Sequence, residues 1–288
     1  MRRLLLVGLL LALLAASGAA PAGAAPPSPE RAIAYLQARQ QPDGGFAEPG
    51  GRSDPGLTAW VVLGLDAAGI DPAAVVRDGR SAADYLAGKP YPAATDLELR
   101  ILALVALHRD VSGLADQLAR LSRRTGSIGP TVNSTIWGIL ALRAAGRPVP
   151  AAAVRYLLGA QAANGGFSWF KGGAPDTNDT AAAVRALLAA GKPASARPIR
   201  RALAFLAANV RRDGGVPLEP GDPSDAQSTA WTIEAVRAAG RTPPRALAAY
   251  LGRLQRADGS FRFRAGRTLT PTWVTAYVLR AIAAPPGP

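Results

Sequence analysis

The strongest constraint on this chain is that its sequence repeats. Four segments close on glycine and an apolar residue: RAIAYLQARQQPDGGF (31–46), VRYLLGAQAANGGF (154–167), ALAFLAANVRRDGGV (202–216) and ALAAYLGRLQRADGSF (246–261). A degenerate copy, LARLSRRTGSI, lies at 118–128. Each opens with apolar residues at helical spacing and ends in glycine, the usual residue of the left-handed turn that closes a helix. Phe46, Ile128, Phe167, Val216 and Phe261 follow the glycine and are expected to pack against the next unit. A second kind of segment comes after each loop: SDPGLTAWVVLGLDAAG (53–69), PTVNSTIWGILALRAAG (130–146), PDTNDTAAAVRALLAAG (175–191), SDAQSTAWTIEAVRAAG (224–240) and TLTPTWVTAYVLRAIAA (268–284). TDLELRILALVALHRD (95–110) fills the remaining gap. Aligning Thr58, Glu98, Thr135, Thr180, Thr229 and Thr275 gives steps of 40, 37, 45, 49 and 46 residues. Recurrence at such a period signals stacked supersecondary units.

The two kinds of helix differ in polarity. The first is amphipathic, with Arg and Gln on one face. The second is rich in Ala and other apolar residues on nearly all sides, so it is expected to be buried on nearly all sides. Six of each, alternating, describe an inner ring of helices inside an outer ring. The alternative is an open superhelix of hairpins. It needs polar caps at its ends, whereas both terminal units keep apolar inner helices.

This repeat resembles the α/α-toroid family of squalene–hopene cyclases, protein prenyltransferase β subunits and cobalamin carriers. The resemblance covers nearly all of 29–284. It is carried by the aromatic-Leu, Gln and Gly-Gly-Phe arrangement of the first helices, similar to the cyclases' QW motif with Phe for Trp, and by the "STAW"-like start of the second. It implies an all-α (α/α)6 toroid with a central cavity, formed by a single domain over 25–288.

The same resemblance singles out Asp176-Thr177-Asn178-Asp179-Thr180-Ala181. It is similar to the D-x-D-D-T-A motif of class II terpene cyclases, whose middle aspartate protonates an alkene. Here Asn178 stands at that position, and an amide cannot deliver the proton. Asp176 and Asp179 remain the weak catalytic candidates. Against them, Asp, Asn and Thr accept the free N–H groups of a helix's first turn, so the segment reads equally as a cap. Ser53/Asp54, Thr95/Asp96, Asn133/Ser134 and Ser224/Asp225 recur at the same place, which supports capping over a pair of glycosidase carboxylates.

Two residues beyond the aligned position stand Trp60, Trp137, Trp231 and Tyr277, with Arg100 and Ala182 in the other units. Facing the centre, they line a cavity for a bulky apolar ligand; facing outward, they are core. Trp169 and Phe170, beside Lys171, are candidates for exposed contacts at a mouth, or else a hydrophobic plug.

Composition removes much else. The 288 residues contain no cysteine and one histidine, His108. Thiolate zinc sites, thioester chemistry and a prenyltransferase Asp-Cys-His zinc site are therefore unsupported, and no metal or cofactor is expected. His108 is read as structural, near the end of the second inner helix. The net charge of +13 is mostly arginine, yet no stretch interleaves aromatics with closely spaced basic residues. Nucleic acid is not expected as a partner; a solvated basic surface, loosely attracted to an anionic cell envelope, is.

The N-terminus, Met1-Arg2-Arg3 followed by an apolar run to Ala16 and small residues to Ala25, has the order of a secretory signal peptide. Ala22-Gly23-Ala24 places cleavage after Ala24, giving a leader of 1–24 and a secreted or periplasmic protein. The expected function is noncatalytic binding of a bulky, largely apolar, isoprenoid-like molecule. An isoprenoid-acting enzyme and a protein-interaction scaffold are the alternatives, and the scaffold is expected to have a tightly filled centre.

Overall fold

The computed structural model describes residues 25–91 and 93–283, so the expected export leader lies outside the described residues. Among the described residues, twelve helices alternate between two layers. The inner layer is α2 (Pro55–Ala67), α4 (Ala94–Ala106), α6 (Val132–Ala144), α8 (Thr177–Ala189), α10 (Ala226–Ala238) and α12 (Pro271–Ala283), each of 13 residues. The outer layer is α1 (Pro29–Gln37), α3 (Ala82–Ala87), α5 (Ser112–Arg120), α7 (Ala151–Leu158), α9 (Arg197–Ala208) and α11 (Arg245–Leu254). Each inner helix packs on the next, and α12 packs on α2. The ring is closed, which removes the open superhelix.

The second unit departs from its pattern. Its outer helix, α3, has only six residues and follows a small hairpin, β1 (Val76–Arg77) and β2 (Arg80–Ser81). Asp78 and Gly79 turn that hairpin with positive φ, the Asp-Gly signature of a tight β-turn. No glycine-closed repeat announces α3, so the sequence pattern does not reveal it.

The repeated glycine does a different job from the one expected. The outer helices end well before it, at Gln37 and Leu158 for example, and a short turn carries the chain back. Gly44, Gly165 and Gly259 adopt positive φ in that turn. A Cβ on Gly44 would lie 2.2 Å from the Ser81 carbonyl oxygen, and one on Gly259 2.2 Å from that of Arg31. Glycine is therefore needed for close approach to the next unit's outer helix as well as for its backbone freedom. The glycines that close helices are those of the inner layer, such as Gly69 and Gly240. His108 holds this left-handed position after α4, with φ of 56°, and its Nε2 lies 3.7 Å from Asp71 on the surface. It is a turn residue rather than a charge on the last helical turn.

Two devices hold the repeats in place, one within each unit and one between units. The aligned threonine hydroxyl accepts the N–H of the apolar residue after the glycines: Thr58 from Phe46, Thr180 from Phe167 and Thr275 from Phe261, at 2.8–3.0 Å. This fixes Phe46, Phe167 and Phe261, all with 0% exposure, in the core. The repeat's glutamine binds two carbonyls at once. Gln40 donates to Gly44 and Val75, Gln161 to Gly165 and Pro198, and Gln255 to Gly259 and Ser28. The last of these joins the sixth unit to the cap of α1. Closure thus uses the same bond as the joints made by Gln40 and Gln161.

Candidate functional site

The inner helices begin at one mouth, and at four of them the loop that leads into the next inner helix caps the start. The Trp169 carbonyl accepts Val132 N–H at 3.0 Å, Leu218 accepts Thr177 N–H at 3.0 Å, and Phe263 accepts Ala226 N–H at 2.8 Å. In the first unit a side chain takes this part. Glu48 accepts the N–H groups of Thr272 and Trp273, both at 2.9 Å. Free N–H groups of a first turn need such partners, and a carboxylate also answers the positive end of the helix dipole.

The acids of the sequence motif lie at this mouth. Asp176 is the N-cap of α8 and accepts the Asp179 N–H at 2.7 Å. Asp179, buried, accepts Asn133 Nδ2 from α6 at 2.6 Å. Asp225 caps α10 through Ser228, and Asp54 caps α2 through Leu57. At α6 the cap is Thr131; Asn133 and Ser134 belong to the first turn, a correction to their expected capping place. Asp96 likewise sits within the first turn of α4 and reaches back to the Ala93 N–H. Asn178 leaves its Oδ1 buried and without a partner.

Burial decides the protonation of this group. Desolvation and the neighbouring Asp179 raise Asp176 to about 8, and desolvation raises Asp179 against the opposing Asn133 and Asp176 hydrogen bonds. Desolvation raises Asp225 to about 6. The α8 pair therefore holds a proton at neutral pH, although both acids are engaged in helix starts and a side-chain bridge. Glu98 is a further buried acid. It occupies the threonine position of the second unit, where no glycine loop offers an N–H, and both its oxygens are unpartnered. Burial and Asp96 push it well above the ordinary carboxylate range. The alignment displays Glu98, yet nothing in it reveals the missing partner.

Trp60, Trp137, Trp231 and Tyr277 meet one another. The Trp60 ring lies 5.5 Å from Trp137, 5.9 Å from Trp231 and 4.7 Å from Tyr277, mostly edge to face. Helices α2 and α6 are not neighbours in the ring, nor are α2 and α10, so these contacts run across the axis. The rings do face the centre, but they fill it at this level, each 7–8% exposed. The expected open cavity is absent from this layer of the described structure. Ala182 leaves room for the large rings, and Arg100 turns away to the Lys89 and Ala87 carbonyls and over Tyr91.

Recesses remain beyond the rings. At the N-terminal mouth a cleft of about 320 Å³ lies among Asp54, Tyr91, Asp96, Arg100 and Trp273. Trp169 and Phe170 stand on the surface of the loop capping α6, 46% and 60% exposed.

No family model and no curated protein matches this chain. Solved structures do. A type II terpene cyclase from Scytonema is 18% identical with a TM-score of 0.67, over 88% of this chain and 94% of that one. A protein from Actinoplanes is 22% identical with a TM-score of 0.66, over 89% and 98%. A glycosidase is 13% identical with a TM-score of 0.59, over 90% and 96%. At these identities the likeness establishes the α/α-toroid fold.

Proposed function

We propose that this protein binds a bulky, largely apolar molecule at a mouth of the toroid and leaves it chemically unchanged. One observation carries the reading: Trp60, Trp137, Trp231 and Tyr277 touch across the axis. Cyclising a long polyprene needs a chamber in which the chain folds on itself, and four rings stand in that space. The amide of Asn178 at the proton-donor position points the same way. An isoprenoid-like ligand is supported by the Scytonema cyclase, solved with geranylgeranyl dihydroxybenzoate as substrate. The leader-like N-terminus supports export, with weak attraction of the basic surface to an anionic envelope; N-terminal sequencing of the exported protein should begin near Ala25.

An enzymatic reading draws on Asp176, whose raised pKa is the state a proton donor requires. An interaction scaffold draws on the filled axial layer. Two measurements separate the three. Mass spectrometry of the purified protein is expected to find a stoichiometric apolar ligand. Incubation of wild type and Asn178→Asp with squalene and shorter polyprenes is expected to give no cyclic product. Cyclisation by the wild type overturns the binder reading, and a ligand-free protein that retains a protein partner supports the scaffold.

A further inference from the structure

Five residues beyond the aligned position, the inner helices carry Leu63, Ala103, Leu140, Arg185, Glu234 and Arg280. That is three residues past the axial aromatics, on nearly the same helix face, one layer closer to the C-terminal mouth. Arg185 Nη1 and Arg280 Nη2 both donate to Glu234 Oε2, at 3.0 and 3.1 Å. Glu234 Oε1 and Arg280 Nε are buried without partners. One carboxylate thus serves two largely buried guanidinium groups, and the group keeps a surplus positive charge. Arg280 also lies over the Trp60 ring, at 5.5 Å. Burial, with the repulsion of Arg280 adding to it against Glu234, lowers Arg185 to about 10.

A recess of about 260 Å³ opens beside these groups. Trp137 lies at its axial end, Leu63, Leu102 and Leu140 form apolar wall, and Arg143 joins Arg185 and Arg280 around it. Arg237 is not free to contribute, since it donates to the Ala281 carbonyl. Three arginines face Glu234 and, further out, Asp66, whose ionisation Arg280 favours; a net positive charge remains in a partly dry site, where uncompensated charge is costly. An anion corrects that imbalance, and guanidinium is suited to carboxylate or phosphate. The cleft at the opposite mouth has no such surplus, because Asp54 and Asp96 stand there beside Lys89 and Arg100.

We infer that the C-terminal recess binds a compact apolar molecule bearing a carboxylate or phosphate head. The apolar body packs on Trp137 and the three leucines, and the head sits among Arg143, Arg185 and Arg280. This rests on the binder reading and gives it a site and a ligand class.

The experiment titrates the mature protein with octanoate, octyl phosphate and octanol, by calorimetry and tryptophan fluorescence. Both anions are expected to bind one to one, roughly 10-fold more tightly than octanol. Arg143→Gln, exposed and outside the Glu234 group, should fold normally and weaken both anions about 5–10-fold while leaving octanol unchanged. Leu140→Phe, which narrows the recess without touching an arginine, should weaken all three. Octanol binding as tightly as octanoate, or anion binding indifferent to Arg143→Gln, overturns the inference. If those results accompany a co-purified apolar ligand, the binder reading stands and only the site is wrong. If no apolar molecule binds or co-purifies, both fall.

Discussion

The two mouths of the inner ring are built from the same six helices and have opposite characters. At the N-terminal mouth, acids and hydroxyls are largely engaged in helix starts: Asp54, Thr131, Asp176 and Asp225 as caps, and Glu48 as one of the bonds across the ring closure. At the C-terminal mouth, Arg143, Arg185 and Arg280 outnumber Glu234 around an apolar recess. The axial aromatics separate the two. The difference follows from helix physics. A first turn exposes N–H groups that acids satisfy, whereas a last turn favours cations such as Arg143 and Arg280; Arg185 lies before the last turn of α8 and is held by Glu234. The arginines exceed what Glu234 takes up, and this surplus is what the proposed anionic head would answer. The prominent acid motif is engaged in helix starts, and the less conspicuous mouth carries the surplus charge.

Glu234→Gln tests the C-terminal mouth most severely. It leaves Arg185 and Arg280 without a counter-charge, and a loss of about 3 kcal/mol is expected in urea unfolding. A loss below about 1 kcal/mol would mean that water already screens the group and that the two mouths differ little in uncompensated charge. Glu48→Ala is the matching test at the N-terminal mouth. Removing both N–H contacts to α12 should cost about 1–2 kcal/mol and broaden the unfolding transition, because the first and sixth units lose a shared bond. An unchanged transition would assign closure to the α2–α12 packing and Gln255 alone.

Protonation gives a third test. Asp176 and Asp225 have folded pKa values raised to about 8 and about 6, above those of the unfolded chain. Their stabilising contribution is therefore complete below about pH 4 and is lost as pH rises through 6 and then 8. Asp176→Asn keeps a good cap and removes the ionisation. It should match wild type at pH 4 and exceed it by on the order of 1–2 kcal/mol above pH 8. A variant less stable at every pH would show that the charged cap outweighs its burial. The smallest effect is expected at His108→Gly, where glycine relieves the positive φ at the end of α4 and stabilises by about 0.5–1 kcal/mol in thermal melting. A loss instead would give the surface contact with Asp71 more weight than the backbone.

Much of the fold was legible because repetition makes weak local signals agree. Glycine spacing and the aligned threonines mark the same five units, apolar periodicity adds the sixth inner helix, and the first two fail together around α3, where a hairpin replaces the repeat. The site was legible in part. The capping role of the segment around Asp176 could be read from residue types. The burial of Asp179 against Asn133 could not, because Asn133 and Asp179 lie 46 residues apart on neighbouring helices.

By itself, the sequence determined an alternating helical repeat, apolar inner helices and the residues fit to cap them, since these depend on periodicity and side-chain chemistry within one unit. Only the tertiary structure decided what meets across the ring. It turned Trp60, Trp137, Trp231 and Tyr277 into a packed layer, left Glu98 without a partner and set two arginines against one glutamate oxygen. The physical reason is that periodicity tells which face of a helix is buried, whereas the groups that arrive opposite it depend on closing all six units around one axis.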